Sequence, residues 1–175
     1  MAADEFDKVE LPAIEQLQSL GWTYVKGEDL SPEKSPERSS LKEVVLEQRL
    51  SANIKRINPW ISDQNLFKVV KDLTKTQYTN LIEANQAIWT ILNECVSVMQ
   101  DLGKGNKGQT VHIIDFENPE NNEFLCTNQF KVSGVNQNII PDIILFVNGL
   151  PLAVIECKSP YITNPMATGI KQLLR

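Results

Sequence analysis

The chain is poor in the residues that many site chemistries need. It holds one histidine, His112, and three cysteines, Cys95, Cys126 and Cys157, among 175 residues. A single histidine excludes histidine-rich metal centres, and any Ser/His/Asp or Cys/His arrangement would have to use His112. That residue sits inside an apolar strand-like stretch, Val111-His112-Ile113, which reads as a structural histidine. The cysteines are odd in number, widely spaced and form no CxxC pair, so neither a disulfide framework nor a zinc knuckle is expected; they read as buried reduced thiols. Apolar runs are short: the longest spans five residues, Ile143 to Val147. A bilayer-spanning helix needs about 20. The first residues are acidic and polar, unlike a secretory signal, so a cytoplasmic location with no membrane partner is expected. No GxxxxGK[ST] sequence occurs. Gly103-Lys104-Gly105-Asn106-Lys107-Gly108 fits GxGxxG, but a helix pattern precedes it and a strand pattern follows, the reverse of what a dinucleotide site requires.

Charge is the next constraint. The formal net charge is -5. Residues 1–40 hold 9 acids and 4 bases, whereas the other 135 residues hold 13 of each, so the whole imbalance lies in the N-terminal arm. A neutral body leaves room for a local basic surface. The size and the 42% hydrophobic content fit one domain, or one with an appendage.

Three stretches follow. Leu11, Ile14, Leu17 and Leu20 recur every three residues, with Pro12 suited to a first helical turn and Gly21 to a stop. Residues 27–40, rich in charge, Ser and Pro, read as an exposed connector. Residues 41–102 carry helical patterns. The first runs from Leu41 to Asn58, with Ser40 and Glu43 as a capping box and Pro59 as breaker. The second begins at Ser62 or Asp63 and puts Leu66, Val69, Val70 and Leu73 on one face. The third runs from about Thr79 to Leu102. Residues 109–158 change period: Thr110–Phe116, Phe124–Val132, Ile140–Val147 and Leu152–Lys158 are strand-like. A last helix begins after Asn164-Pro165. The class is α+β, a mixed sheet flanked by helices. The expected domains are residues 1–40, a helix and acidic connector, and residues 41–175, the main domain.

The informative stretch is Pro141-Asp142 followed by Glu156-Cys157-Lys158. Two carboxylates attached to very apolar strands would each cost several kcal/mol to bury alone. If they converge they need a cation, and hard carboxylate oxygens suit Mg²⁺. Glu156 and Lys158 project to the same face of a strand, which sets an ammonium beside the metal. An ordinary sheet-edge salt bridge is the alternative. Side-chain parity tests the idea. A simple two-residue Asn148-Gly149 turn sets Val147 across from Leu150 and Asp142 across from Ile155, and the carboxylates then point to opposite faces. A shared ion needs Asp142 across from Glu156. That requires an odd-length loop, such as Asn148-Gly149-Leu150, or a bulge; Pro151 reads as favouring such an interruption.

Asp, then Glu-x-Lys at a hairpin's end, resembles the PD-(D/E)xK nucleases. Over residues 10–175 the chain resembles the N-terminal part of the restriction (motor, R) subunit of type I restriction enzymes. The likeness is dense in Ile114–Phe124, Asn128-Gln129-Phe130, Pro141–Leu152 and Val154–Pro160. It extends to Leu20–Val25, Val44–Leu50 and Arg56–Pro59. It implies a restriction-endonuclease-like core and Mg²⁺-dependent endonucleolytic cleavage of double-stranded DNA. It further implies an ATP-driven translocase in the full subunit, and modification and specificity subunits as partners, with S-adenosylmethionine on the former. Asp142, Glu156 and Lys158 match the family's catalytic positions. Asp142, Glu156 and the Cys157 backbone carbonyl are the implied metal ligands, with Glu47, on the first core helix, as a further candidate. Gln172 matches the first residue of a Gln-x-x-x-Tyr motif. Lys104, Lys107, Lys131, Lys158, Lys171 and Arg175 are candidate phosphate contacts. Asp115 reads as a stabiliser of the Asn-rich turn after it. A catalytically silent DNA-binding or subunit-docking module of the same fold is the alternative function.

Overall fold

A computed structural model describes residues 5–74, 80–134, 137–159, 161 and 164–173. The chain forms two compact units, residues 1–44 with 124–175, and residues 45–123. This division differs from a boundary at residue 40. The reason is β1 (Thr23–Lys26), which pairs in parallel with β4 (Phe124–Asn128) and thereby ties the N-terminal segment into the main sheet.

In the first unit, a π-helical turn, Phe6–Glu10, leads into α1 (Leu11–Ser19). Gly21 takes the left-handed φ of 93° expected of a helix stop. The sheet continues with β7 (Ile143–Val147) and β8 (Leu150–Ile155), in the order β1-β4-β7-β8. It is mixed: β1 is parallel to β4, and the other neighbours are antiparallel. The central strands β4 and β7 are buried along most of their length, which is why they read as unbroken apolar runs rather than alternating ones. From α1, Ile14 is buried against Cys126, Ile143 and Cys157, with Leu17 and Trp22 packed around them. A small ladder pairs β5 (Val132–Ser133) with β6 (Asn138–Ile139). The final helix, α5 (Pro165–Leu173), starts where the sequence placed it.

The segment 27–40 is an exposed connector only in part. Gly27 and Leu30 are buried, and Arg38 is only 2% exposed. Its Nε donates to the Glu43 carbonyl at 2.8 Å, and a terminal nitrogen donates to the carbonyls of Leu41 and Lys131. The same bonds explain why no helix starts at residue 41. The Leu41 carbonyl is taken by Arg38 and by Ser133 N, so it is not left to accept within a helix. Glu43 does reach back, chiefly to Ser39 and more weakly to the Ser40 backbone, and closes only a local turn.

The second unit begins its first helix, α2, at Glu47 (Glu47–Ile57), followed by α3 (Asp63–Thr74) and α4 (Leu81–Glu94). Asn58 ends α2, and its side chain pairs with both the N–H and the C=O of His112, capping the end of a strand. Ser62 caps α3 through Asn65 N. Val69, Val70 and Leu73 form the buried face expected of α3. The third helix stops far short of Leu102. Cys95 takes φ 63°, and β2 (Val96–Asp101) pairs with β3 (Asn106–Val111). The start expected at about Thr79 lies outside the described residues. The glycine-rich GxGxxG loop therefore joins two strands: Asp101 Oδ1 accepts from the N–H groups of Gly103, Lys104 and Gly105. Asp115 organises its turn as expected, accepting from Glu117 N, Asn118 N and Asn121 Nδ2. No helix among the described residues is long and apolar enough to cross a membrane.

Candidate active site

The hairpin β7–β8 decides where the carboxylates point. Its turn is the two-residue Asn148-Gly149, both with positive φ, 52° and 86°. Val147 lies across from Leu150 and Phe146 from Pro151. The register then shifts: Leu145 lies across from Ala153, Ile144 from Val154 and Ile143 from Ile155, so Leu152 is the extra residue of a bulge. The interruption is thus a bulge and not an odd-length loop. Pro151 fits because it follows the turn-closing pair on an edge strand, where its missing N–H costs no ladder bond. Continued by one residue, this register carries Asp142 across to Glu156. The bulge puts the two carboxylates on one face, where a regular hairpin would have separated them.

The site sits at the ends of those two strands. Cys157 N donates to Asp142 Oδ2 at 2.7 Å. Lys158 Nζ donates to Glu156 Oε1 at 2.5 Å and to the Cys157 carbonyl at 2.7 Å, and lies 3.8 Å from Asp142 Oδ2. These groups are largely removed from water: side-chain exposures are 16% for Asp142, 5% for Glu156 and 12% for Lys158. Burial, and then the neighbouring Asp142 charge, push the Glu156 carboxyl above its ordinary range, although its bond to Lys158 pulls the other way. Burial pulls on Lys158 in the opposite sense, but its bond to Glu156 and the nearby carboxylate charges outweigh that and raise its pKa. Burial, with Asp142 next, lifts the Cys157 thiol to about 11, which leaves the thiol protonated and inert. Helix α5 closes one side: a Cβ on Gly169 would lie 3.7 Å from Glu156 Cγ and 3.8 Å from Lys158 Cγ.

A further acid belongs to this cluster. Glu10, in the π-helical turn, is 4% exposed. It accepts from Asn128 Nδ2 at 2.8 Å and Gln129 Nε2 at 3.3 Å, and Gln129 N donates to the Asp142 carbonyl. Burial raises its pKa first, and the charge of Asp142 adds to the shift. The sequence signal was present: Glu10 precedes Ile14 by four residues and Leu17 by seven, the spacing of one helix face. Glu47 opens α2, in the second unit, with its side chain exposed. Gln172 and Lys171 lie on α5, whereas Arg175 lies outside the described residues. Lys104 and Lys107 are exposed on the β2–β3 hairpin of the second unit.

The donor set fits Mg²⁺. Asp142 and Glu156 share the Lys158 ammonium, and the charge of Glu10 adds beside Asp142, which leaves a mostly buried excess of negative charge among the described residues. Among the described residues no three acidic, histidine or cysteine side chains are placed to ring one ion. Two carboxylates with a backbone carbonyl match a cation that takes one or two carboxylates and keeps its waters.

Comparison with known proteins gives the lineage. The family model of the type I restriction enzyme R protein N terminus matches residues 3–175. The type I restriction enzyme HindI endonuclease subunit of Haemophilus influenzae is 36% identical over 154 residues, 87% of this chain and 15% of that protein. The "Putative type I restriction enzyme MjaIXP endonuclease subunit" of Methanocaldococcus jannaschii is 36% identical over 155 residues, with the same two shares. The chain thus spans about 15% of the length of these relatives. A match over nearly the whole chain, with the Asp142, Glu156 and Lys158 cluster inside it, shows that this chain belongs to the type I restriction enzyme R protein N-terminal family.

Proposed function

We propose that this chain is a Mg²⁺-dependent endonuclease domain acting on double-stranded DNA. The supporting observation is the bulged hairpin that brings Asp142, Glu156 and the Lys158 ammonium into one buried cluster. Asp142, Glu156 and the Cys157 carbonyl would hold the ion, which when bound supplies Lewis-acid polarisation and activates water. Hydrolysis forms a bond from the water oxygen to phosphorus and breaks the bond to the leaving sugar oxygen, which takes a proton. Lys158 serves both ends of that change. Its N–H groups orient the attacking water, and its charge offsets the negative charge that grows on the phosphate oxygens. Glu10 holds Gln129 and Asn128 against the strand end next to Asp142, so it positions the metal-binding edge. In the longer protein we further propose an ATP-driven translocase. Its partners would be a specificity subunit and a modification subunit that carries S-adenosylmethionine.

The test compares wild type, Asp142→Ala and Glu156→Ala for Mg²⁺-dependent duplex cleavage and for duplex binding. Both variants should lose cleavage, and duplex affinity should stay within about threefold, since phosphate contacts rather than metal ligands set affinity. Cleavage by Asp142→Ala at the wild-type rate would overturn the site assignment, whereas duplex binding without cleavage by wild type would support a silent docking module.

A further inference from the structure

Arg38 carries a buried charge that forms no ion pair among the described residues. Its guanidinium lies 3.9 Å from the centre of the Phe130 ring and donates to three backbone carbonyls. One terminal nitrogen, Nη1, is buried without a hydrogen-bond partner. Among the described residues no carboxylate pairs with it: Glu43, the acid whose charge reaches it, spends its carboxylate on Ser39. Orphaned buried donors are rare, and an arginine is more costly to leave unpaired than a neutral group.

Arg38 also lines a cavity of about 330 Å³ between the segment 27–41 and the residues Gln129, Lys131 and Ile140. Lys34, Lys131, Ser31 and Gln129 line it too, with Glu28 and Glu33 as its acids. Lys34 and Glu28 pair with each other, so Arg38 and Lys131 face Glu33 alone and the cavity is left positive. Position gives this charge a purpose. Gln129 lines the cavity and also donates to Glu10, the acid next to Asp142.

We propose that this cavity binds a phosphate group, with Arg38 as its charged floor, Lys131 and Lys34 as wall donors, and Ser31 and Gln129 as neutral ones. The ligand class follows from the donors, several N–H groups and a hydroxyl around a guanidinium that has one unpartnered nitrogen and no ion pair, which suit a tetrahedral oxyanion. Resting on the nuclease reading, the source is a backbone phosphate of duplex DNA, and the pocket fixes the strand's course beside the acids. A free phosphate or nucleotide carries the same chemistry.

Thermal unfolding at matched ionic strength, with sodium phosphate against sodium chloride, reads the site directly. Duplex affinity across a salt series identifies the source. Wild type should gain a few degrees in phosphate. Lys131→Glu and Arg38→Met should each lose that gain. If the phosphate is on DNA, Lys131→Glu should also weaken duplex binding about tenfold and lower the salt slope by about one. A lost phosphate gain with unchanged duplex affinity assigns the pocket to a free phosphate or nucleotide. Should Arg38→Met fail to fold, Lys131→Glu decides alone. An unchanged phosphate gain in folded Lys131→Glu, or none in wild type, overturns the proposal. The same measurements on Asp142→Ala separate this site from the nuclease reading, because phosphate binding there does not depend on cleavage.

Discussion

Insertion and deletion next to the bulge should have opposite consequences. Removing Leu152 leaves Pro151 followed by Ala153, which makes a regular two-residue hairpin. Phe146 then stays across from Pro151 and Leu145 from Ala153, and Asp142 keeps its place across from Glu156. Adding one alanine between Leu152 and Ala153 leaves two residues too many. The strand then either bends around a double bulge or slips by one position, which turns Glu156 to the other face. One position is about 3.4 Å along the strand as well as a reversal of direction. Oxygens displaced that far cannot share an ion whose bonds are about 2.0–2.1 Å long. The stability cost of the deletion is small. Leu152 is 43% exposed, so roughly half of the ~1.5–3 kcal/mol for a fully buried leucine is at stake, about 1–1.5 kcal/mol. The assay pairs thermal unfolding with calorimetric Mg²⁺ titration and duplex cleavage. The deletion should bind Mg²⁺ within about tenfold of wild type and keep measurable cleavage. The insertion should fold and lose both. Full activity in the insertion, or loss of Mg²⁺ binding in a well-folded deletion, would refute the register argument.

Other perturbations probe the same cluster. Lys158→Met keeps the aliphatic stem but removes the ammonium that, among the described residues, pairs with Glu156 and Asp142; unfolding at neutral pH without Mg²⁺ should show a loss of about 3 kcal/mol, partly recovered by added Mg²⁺, and cleavage should be lost. Lys158→Arg should restore the stability better than the activity, because a planar guanidinium cannot reproduce a compact ammonium's contacts. Glu10 has a raised folded pKa, so its contribution to stability is fully present below its unfolded pKa and falls as pH rises through the folded value; the stability of wild type relative to Glu10→Gln should decline from pH 4 to pH 7 in unfolding titrations. Alkylation followed by mass spectrometry at pH 8 should modify half-buried Cys95 well before Cys157, whose pKa near 11 leaves about one thiolate in a thousand.

Much of the first unit was legible because its signals are local. The Leu11-Ile14-Leu17 spacing with Gly21 marked α1, the apolar run at Ile143 marked a doubly buried strand, and charged residues at the ends of such strands marked the cluster of Asp142, Glu156 and Lys158. Parity reasoning demanded an interruption between Asp142 and Glu156 without locating it, since a bulge and an odd loop satisfy the same count. What escaped was non-local. Arg38 looks like a solvated connector residue until Phe130 and the Lys131 carbonyl fold over it. The strand β2 follows a helical pattern without punctuation, and only its pairing with β3 separates the two. Glu10 was not among the candidate acids, whereas Glu47, on the longer helix that follows and sharing a face with Leu50, was. Glu10 stands at the start of a shorter helix whose burial depends on β1 pairing with a strand about 100 residues away.

The most direct test of the account is anomalous diffraction from crystals soaked in Mn²⁺, which takes the same oxygen ligands as Mg²⁺. The account predicts one anomalous peak, about 2.0–2.3 Å from a carboxylate oxygen of both Asp142 and Glu156, with Lys158 Nζ displaced from Glu156. A crystal that holds Mn²⁺ elsewhere but shows Lys158 still seated on Glu156, with no peak between the carboxylates, would contradict it.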